Sequence, residues 1–252
     1  MKKLITILAH PRTGSSLLMQ TLRLLNVSII GEAERKDLPV QANPKGYYED
    51  RNILSNGLTK QAIEKIEQNE SEIVAVKISL KGMIKDDRAD QWQYLQKNRA
   101  TILVSIRPPL ESALSKLTFF RNQPDEITRF RQVTTFLRNY QLQHKTLSEI
   151  LLTKVPELLP RTFTIDYHTS LNNPQKYVEN ITNRAGLTVS KSQFEAALKN
   201  IDRALYRYNQ EIVEDKVKKW HRKIGADSFY NILSTKKNPW QIINGFQHEH
   251  YH

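Results

Sequence analysis

Leu4-Ile5-Thr6-Ile7-Leu8-Ala9-His10-Pro11-Arg12-Thr13-Gly14-Ser15-Ser16-Leu17-Leu18 is the stretch on which the reading of this chain turns. Leu4–Ala9 is apolar almost throughout instead of alternating, which suits a strand buried on both faces of a parallel sheet. An amphipathic helix is predicted to follow as far as Leu25, and a tight turn with one glycine separates the two. A strand, a tight turn and a helix N-terminus together form an anion site, because unpaired amide N–H groups converge there and the helix dipole adds positive potential. Arg12 supplies a full charge, Thr13, Ser15 and Ser16 supply hydroxyl donors, and Gly14 lets the backbone approach an anion closely. Taken locally, a helix capped by Thr13 or Ser15 beside an arginine would read the same way.

Four more apolar runs lie downstream: Val27–Ile30, Ile73–Ile78, Thr101–Ile106 and Thr162–Asp166. Helical stretches separate them. This rhythm predicts an α/β fold with an open, mostly parallel sheet of about five strands flanked by helices, P-loop NTPase-like, with a helical C-terminal region. The longest helix is expected over Asp125–Val155, started by Pro124 and Asp125 and stopped by Pro156. Ile127, Phe130, Val133, Leu137, Tyr140, His144, Leu147 and Leu151 mark its buried stripe, and His144 on it reads first as a core histidine. Pro174–Gly186, Lys191–Ile201 and a charged helix from about Asn209 to Lys223 follow, and then a polar tail. No repeat or low-complexity linker interrupts the chain, so residues 1–252 are expected to form one domain, with 224–252 as a C-terminal extension. Gly31–Asn52 is long and irregular, and loops of that length usually carry function or disorder.

Composition removes several function classes. Without cysteine there is neither a disulfide framework nor a thiolate metal site. No apolar run approaches the roughly 20 residues of a membrane span. Met1-Lys2-Lys3 begins like a signal peptide, but His10-Pro11-Arg12 ends the apolar stretch with no small-residue cleavage pattern, so a cytoplasmic location is expected. The formal net charge of +12 implies an anionic partner: nucleic acid, a polyanionic polymer or a nucleotide. A generally basic solvated surface would give the same total. The chain lacks a Lys/Arg stripe with interleaved aromatics, which argues against a non-catalytic nucleic-acid-binding protein. A kinase or NTPase with a degenerate loop is the other alternative. Its Walker A signature is missing, since the first glycine is absent and the basic residue precedes the turn. Phe163-Thr164-Ile165-Asp166 could pass for a Walker B strand, but a Mg²⁺ role needs that partner. The terminal His248-Glu249-His250-Tyr251-His252 reads as a frayed end before a metal site.

Pro11-Arg12-Thr13-Gly14-Ser15-Ser16-Leu17-Leu18 closely resembles the 5′-phosphosulfate loop of soluble sulfotransferases that use 3′-phosphoadenosine 5′-phosphosulfate (PAPS). A second motif of that family is a strand ending in arginine with a serine eight positions later. Here Ile102-Leu103-Val104-Ser105-Ile106 runs into Arg107, and Ser115 stands at that spacing. The resemblance implies that Arg12, Thr13, Gly14, Ser15, Ser16 and Leu17 hold the 5′-phosphosulfate and that Arg107 and Ser115 hold the 3′-phosphate. Asp166-Tyr167-His168 sits where the family has Tyr-Glu-Asp, which puts Tyr167 near the adenine. Trp220-His221-Arg222-Lys223 lies near a C-terminal basic pair, which would bring Arg222 and Lys223 to the 3′-phosphate. The product is then 3′-phosphoadenosine 5′-phosphate (PAP), and no metal is required.

Sulfuryl transfer needs in-line attack, fixed positive charge and a base for the acceptor's proton. Arg12 is placed to neutralise the leaving phosphate. Lys77, at the end of the third strand, aligns with a lysine that relatives use near the sulfonate, although a strand-end lysine reaching solvent looks identical in sequence. Many relatives carry a histidine just beyond that lysine, and Ile78-Ser79-Leu80 has none. Other relatives use a glutamate after the first helix, and Asn43-Pro44-Lys45-Gly46-Tyr47-Tyr48-Glu49 resembles the segment that carries it. Glu49 is therefore the expected base, with His10 and His168 as substitutes. A helix-N-terminal acid would also suit Glu49. The expected acceptor is a small molecule or carbohydrate bearing a hydroxyl or amine, with alcohols, phenols, amines and sugars all open.

Overall fold

The computed structural model describes residues 2–34, 43–119, 125–202 and 215–246. Pro39 of the long loop, Pro124, the front of the helix expected from Asn209, and the terminal histidines lie outside the described residues. The strands are β1 (Lys3–Ala9), β2 (Ser28–Ile30), β3 (Ile73–Ser79), β4 (Thr101–Ile106) and β5 (Thr162–Asp166). They form one sheet in the order β2-β3-β1-β4-β5 with every pairing parallel. The α/β architecture expected from the sequence is therefore present. β1 connects toward the β2 edge and β4 toward the β5 edge. Neighbouring strands whose connections diverge open a crevice beyond their carboxyl ends, where such sheets bind ligands.

Both faces of the sheet are buried, which is why its strands read as continuous apolar runs. Ile5, Ile7, Ala75, Leu103 and Ile165 pack with residues of α1 (Ser15–Leu24), α9 (Pro174–Ala185) and α10 (Lys191–Asn200). Leu4, Leu8, Val74, Val76, Val104 and Ile106 face the larger layer. That layer contains α2 (Arg51–Asn56), α3 (Lys60–Gln68), α4 (Leu80–Met83), α5 (Ala89–Lys97), α6 (Pro109–Phe119) and α7 (Glu126–Thr153). α8 (Tyr167–Asn172) follows β5 directly, with the Asp166 side chain accepting from the His168 amide at its N-terminus. Gly186 closes α9 in the left-handed conformation, φ 58°.

Two expectations need correction. Ile127 is 66% exposed; exposure falls through half-buried Phe130 to Val133 at 1%, so the first turn of α7 overhangs the packed layer. Asp125 caps that helix by accepting from the Thr128 amide. The described part of the expected polar tail contains two helices, α12 (Ala226–Thr235) and α13 (Pro239–Asn244), which follow α11 (Asp215–Lys223). Phe229, Leu233, Trp240 and Ile243 of these helices belong to the same buried cluster as the strands. The Trp240 indole donates to the Thr162 carbonyl at 3.2 Å and Thr164 donates to the Leu233 carbonyl at 2.9 Å. Burying side chains such as Phe229 and Leu233 contributes roughly 1.5–3 kcal/mol each. This segment is part of the core.

Candidate active site

A cleft of about 390 Å³ opens above the carboxyl ends of β3, β1 and β4. Its floor is the turn from β1 to α1. Arg12 takes a left-handed conformation, φ 67°, and Gly14 follows at φ 91°. A Cβ on Gly14 would lie 2.3 Å from Cδ2 of Tyr167, so the tyrosine ring can rest on the turn only because residue 14 is glycine. No side chain caps α1, which leaves its first amides directed at the cleft. Ser15, Ser16, Leu17, Arg12 and Gly14 line the cavity. The Thr13 side chain does not. Thr13 is fully buried and its hydroxyl donates to the His10 carbonyl at 2.8 Å, while Ser105 donates to the Thr13 carbonyl at 2.8 Å. The side chain expected to offer a donor to an anion thus holds the turn in shape instead.

Arg107 and Ser115 reach the same cleft from β4 and α6. Both are buried, at 5% and 2% exposure. Arg12 Nε donates to Ser115 Oγ at 3.2 Å, which joins two motifs 103 residues apart. Arg107 Nη1 approaches the Arg12 carbonyl at 3.5 Å, and its guanidinium carbon lies 5.0 Å from the Tyr167 ring centroid. Glu111 holds Arg107 Nε at 3.2 Å and also meets His168 Nε2 at 2.8 Å. That hydrogen bond raises the His168 pKa against the opposing effect of burial. His168 is therefore committed to Glu111, and it does not line the cleft.

Lys77 and Glu49 form the third element. Lys77 is 2% exposed, so it does not reach solvent as a strand-end lysine would. Its Nζ lies 2.5 Å from Glu49 Oε2, 3.0 Å from the Tyr47 carbonyl and 3.5 Å from Ser16 Oγ. Glu49 is placed by its backbone, which bridges to Glu32 across the start of the loop. Gly31, at φ 148°, makes room for this, since a Cβ there would meet Glu49 Cα at 2.7 Å. The helix-capping role goes to the next residue: Asp50 accepts from the amides of Asn52 and Ile53. Ser79, two positions after Lys77, lines the cleft and also accepts from the Gly82 amide at the start of α4.

His10 lines the cleft and is 3% exposed. Burial, followed by the charges of His144 and Lys116, pushes its pKa down to about 3, so it stays neutral near pH 7. His144 is fully buried; its Nδ1 meets the Tyr140 carbonyl at 2.7 Å, and burial lowers its pKa to about 4. Arg222 and Lys223 lie apart from the other candidate residues. Val217, Trp220 and His221 occupy the inner face of α11, so both basic residues fall on its exposed face and neither lines the cleft.

The sequence reading missed one wall. Gln20 donates to the Gly46 carbonyl at 2.6 Å and approaches Asn43, and Asn200 donates to Gln20 Oε1 at 3.3 Å. Lys45 donates to the Asn200 carbonyl at 2.7 Å and lies 3.8 Å from Asp202. Asn43 and Lys45 sat in a loop already marked as irregular, whereas Gln20 and Asn200 carry no local signal. Among the described residues no three His, Asp or Glu side chains converge as a metal site, and no helix is long and apolar enough to cross a membrane.

The chain matches no protein-family model and no curated protein. Its fold is similar to that of mouse sulfotransferase SULT7A1 complexed with PAP, with TM-score 0.58 and 11% identity over 98% of this chain and 90% of that one. It is also similar to retinol dehydratase in complex with androsterone and the inactive cofactor PAP. There the TM-score is 0.50 and the identity 10%, covering 99% of this chain and 82% of that one. At such identities the property held in common is the fold.

Proposed function

We propose that this chain, which has the sulfotransferase fold, transfers a sulfuryl group from PAPS to an acceptor hydroxyl or amine and releases PAP. The observation that carries the reading is the meeting of two anion-binding motifs in one cleft, where Arg12 Nε reaches Ser115 Oγ at 3.2 Å with Arg107 beside them. A single phosphate site would need only the first motif. Two, with an aromatic ring between them, suit a nucleotide phosphorylated at both ends.

The residues fit that cofactor. The α1 amides with Arg12, Ser15, Ser16 and Leu17 would hold the 5′ end, Arg107 and Ser115 the 3′-phosphate, and Tyr167 would flank the base. When bound, PAPS supplies the activated sulfuryl group. Arg12 is positioned to stabilise negative charge on the departing phosphate, and such preorganised charge is where most of the acceleration in group transfer arises. Lys77 neutralises the buried Glu49 carboxylate and can exchange that partner for a bound anion. Glu49 then accepts the proton of the acceptor hydroxyl. The two roles are coupled, because Glu49 becomes available as Lys77 moves off it. No metal has a part in this scheme.

Glu49→Gln is expected to cut turnover roughly 10²–10⁴-fold while leaving PAP affinity nearly unchanged. PAP release from PAPS and calorimetric PAP binding measure the two halves separately. A variant with near-normal turnover would remove Glu49 from the role.

A further inference from the structure

Most cations lining the cleft already have a partner that the transfer reading uses or that neutralises them. Lys77 meets Glu49 at 2.5 Å, Arg107 meets Glu111 at 3.2 Å, and Lys45 approaches Asp202 at 3.8 Å. Arg12 reaches Ser115. Lys116 differs. It is exposed, follows Ser115 on α6 and lines the cleft, and its Nζ lies 5.7 Å from the ring centroid of Phe136 on α7. Among the described residues no carboxylate stands within ion-pair distance of it.

The same phenylalanine meets His10 edge-on, with ring centroids 4.4 Å apart. His10 Nδ1 is sealed from solvent without a partner, which leaves Nε2 as the nitrogen that can meet a ligand. Lys116 adds to burial in keeping that ring neutral. One corner of the cleft thus combines an ammonium with no carboxylate beside it among the described residues, a neutral imidazole and an aromatic wall, all on the α7 side of the sheet. Leu17 packs with the α1 layer and Tyr167 rests on the Gly14 turn, so a cofactor whose 5′ end lies by Leu17 and whose base lies by Tyr167 leaves the α7-side corner to the acceptor.

We propose that the acceptor carries an acidic group besides its hydroxyl or amine, and that Lys116 and His10 bind that group. The inference rests on the transfer reading, whose other residues already account for the phosphates of the donor. An anion in this corner gains the Lys116 charge and a hydrogen bond from neutral His10, over a ring that excludes water from one side. Charge-assisted hydrogen bonds of this kind favour an acid over its neutral counterpart by about tenfold or more.

The test is calorimetric titration of PAP-saturated protein with matched pairs, 4-hydroxybenzoate against 4-hydroxybenzamide and glucuronate against glucose. At least one acid is expected to bind about tenfold or more tightly than its neutral partner. Lys116→Gln should abolish that preference and leave PAP affinity unchanged. Acids that bind no better than their partners, including no binding by either, would overturn the inference. So would a preference that survives Lys116→Gln, or a loss of PAP affinity in that variant, which would move Lys116 to the donor. PAP binding by the wild type is measured first. If it is absent the transfer reading fails, whereas PAP bound without acid preference sinks only the acidic acceptor.

Discussion

Lys77→Met removes the ammonium from an ion pair whose side chains are 2% and 5% exposed and 2.5 Å apart. Methionine keeps the length and the apolar contacts of the stem, so the loss is chiefly electrostatic. Glu49 is then a buried carboxylate without its counter-charge, and breaking one partner of such a pair costs about 3–5 kcal/mol. The escape route gives an independent bound. Neutralising an ordinary glutamic carboxyl at pH 7 costs about 3.7 kcal/mol, so the penalty saturates near that value. The two figures agree. In a domain of this size each kcal/mol moves Tm by about 2–4 °C, which predicts a drop of roughly 7–15 °C. Lys77→Met with Glu49→Gln removes both charges and should recover most of the loss. A residue of about 1 kcal/mol should persist, because the Tyr47 carbonyl no longer receives its donor. Urea unfolding of the wild type, both single variants and the double variant at pH 7 gives the coupling energy, expected at about 2 kcal/mol or more. Single effects that simply add to within about 0.5 kcal/mol would refute the buried pair.

Gly14→Ala places a Cβ at a backbone φ of 91° and 2.3 Å from Tyr167, so the turn must move or the ring must swing away; titration should show PAP affinity falling by at least tenfold. Acid should destabilise the fold through His10 and His144, whose pKa values of about 3 and about 4 lie below that of an unfolded histidine. Well above a pH of about 6.5 neither state is protonated and the pair contributes nothing. Below it the unfolded chain takes up protons that the fold refuses, at about 2 kcal/mol per histidine by pH 5. Denaturant midpoints measured from pH 7.5 to 4.5 should fall accordingly, and His144→Gln should remove about half of that slope; a slope unchanged in the variant would contradict the assignment.

How far the sequence could be read depended on whether a signal was local. The Pro11–Leu18 turn and the Arg107–Ser115 spacing each sit within one strand–turn–helix unit, so chain order alone placed them. That β1 and β4 are neighbours, which brings Arg12 onto Ser115, is a matter of sheet order that no local pattern encodes. The Lys77–Glu49 pair spans a loop and a strand and was visible only as two separate candidates. Thr13 misled because a hydroxyl beside a glycine turn can serve a ligand or its own loop, and the choice depends on where the His10 carbonyl lies. For Arg222 and Lys223 the helix periodicity shows which residues share a face but not what that face meets. The helical core residues Phe229, Leu233, Trp240 and Ile243 were hidden among Lys236, Lys237 and the histidine-rich end.

The central claim is that the cleft recognises a nucleotide by its 3′-phosphate. Arg107 can present two donors to that group and Ser115 a third, and hydrogen bonds to a charged group contribute about 1.5–3 kcal/mol each. The most direct measurement is calorimetric titration of PAP and AMP, which differ only by the 3′-phosphate, into the wild type and Arg107→Ala. PAP should bind the wild type at least tenfold, and nearer a hundredfold, more tightly than AMP, and Arg107→Ala should erase most of that margin. Equal affinities in the wild type, or a PAP preference untouched by the substitution, would contradict the account.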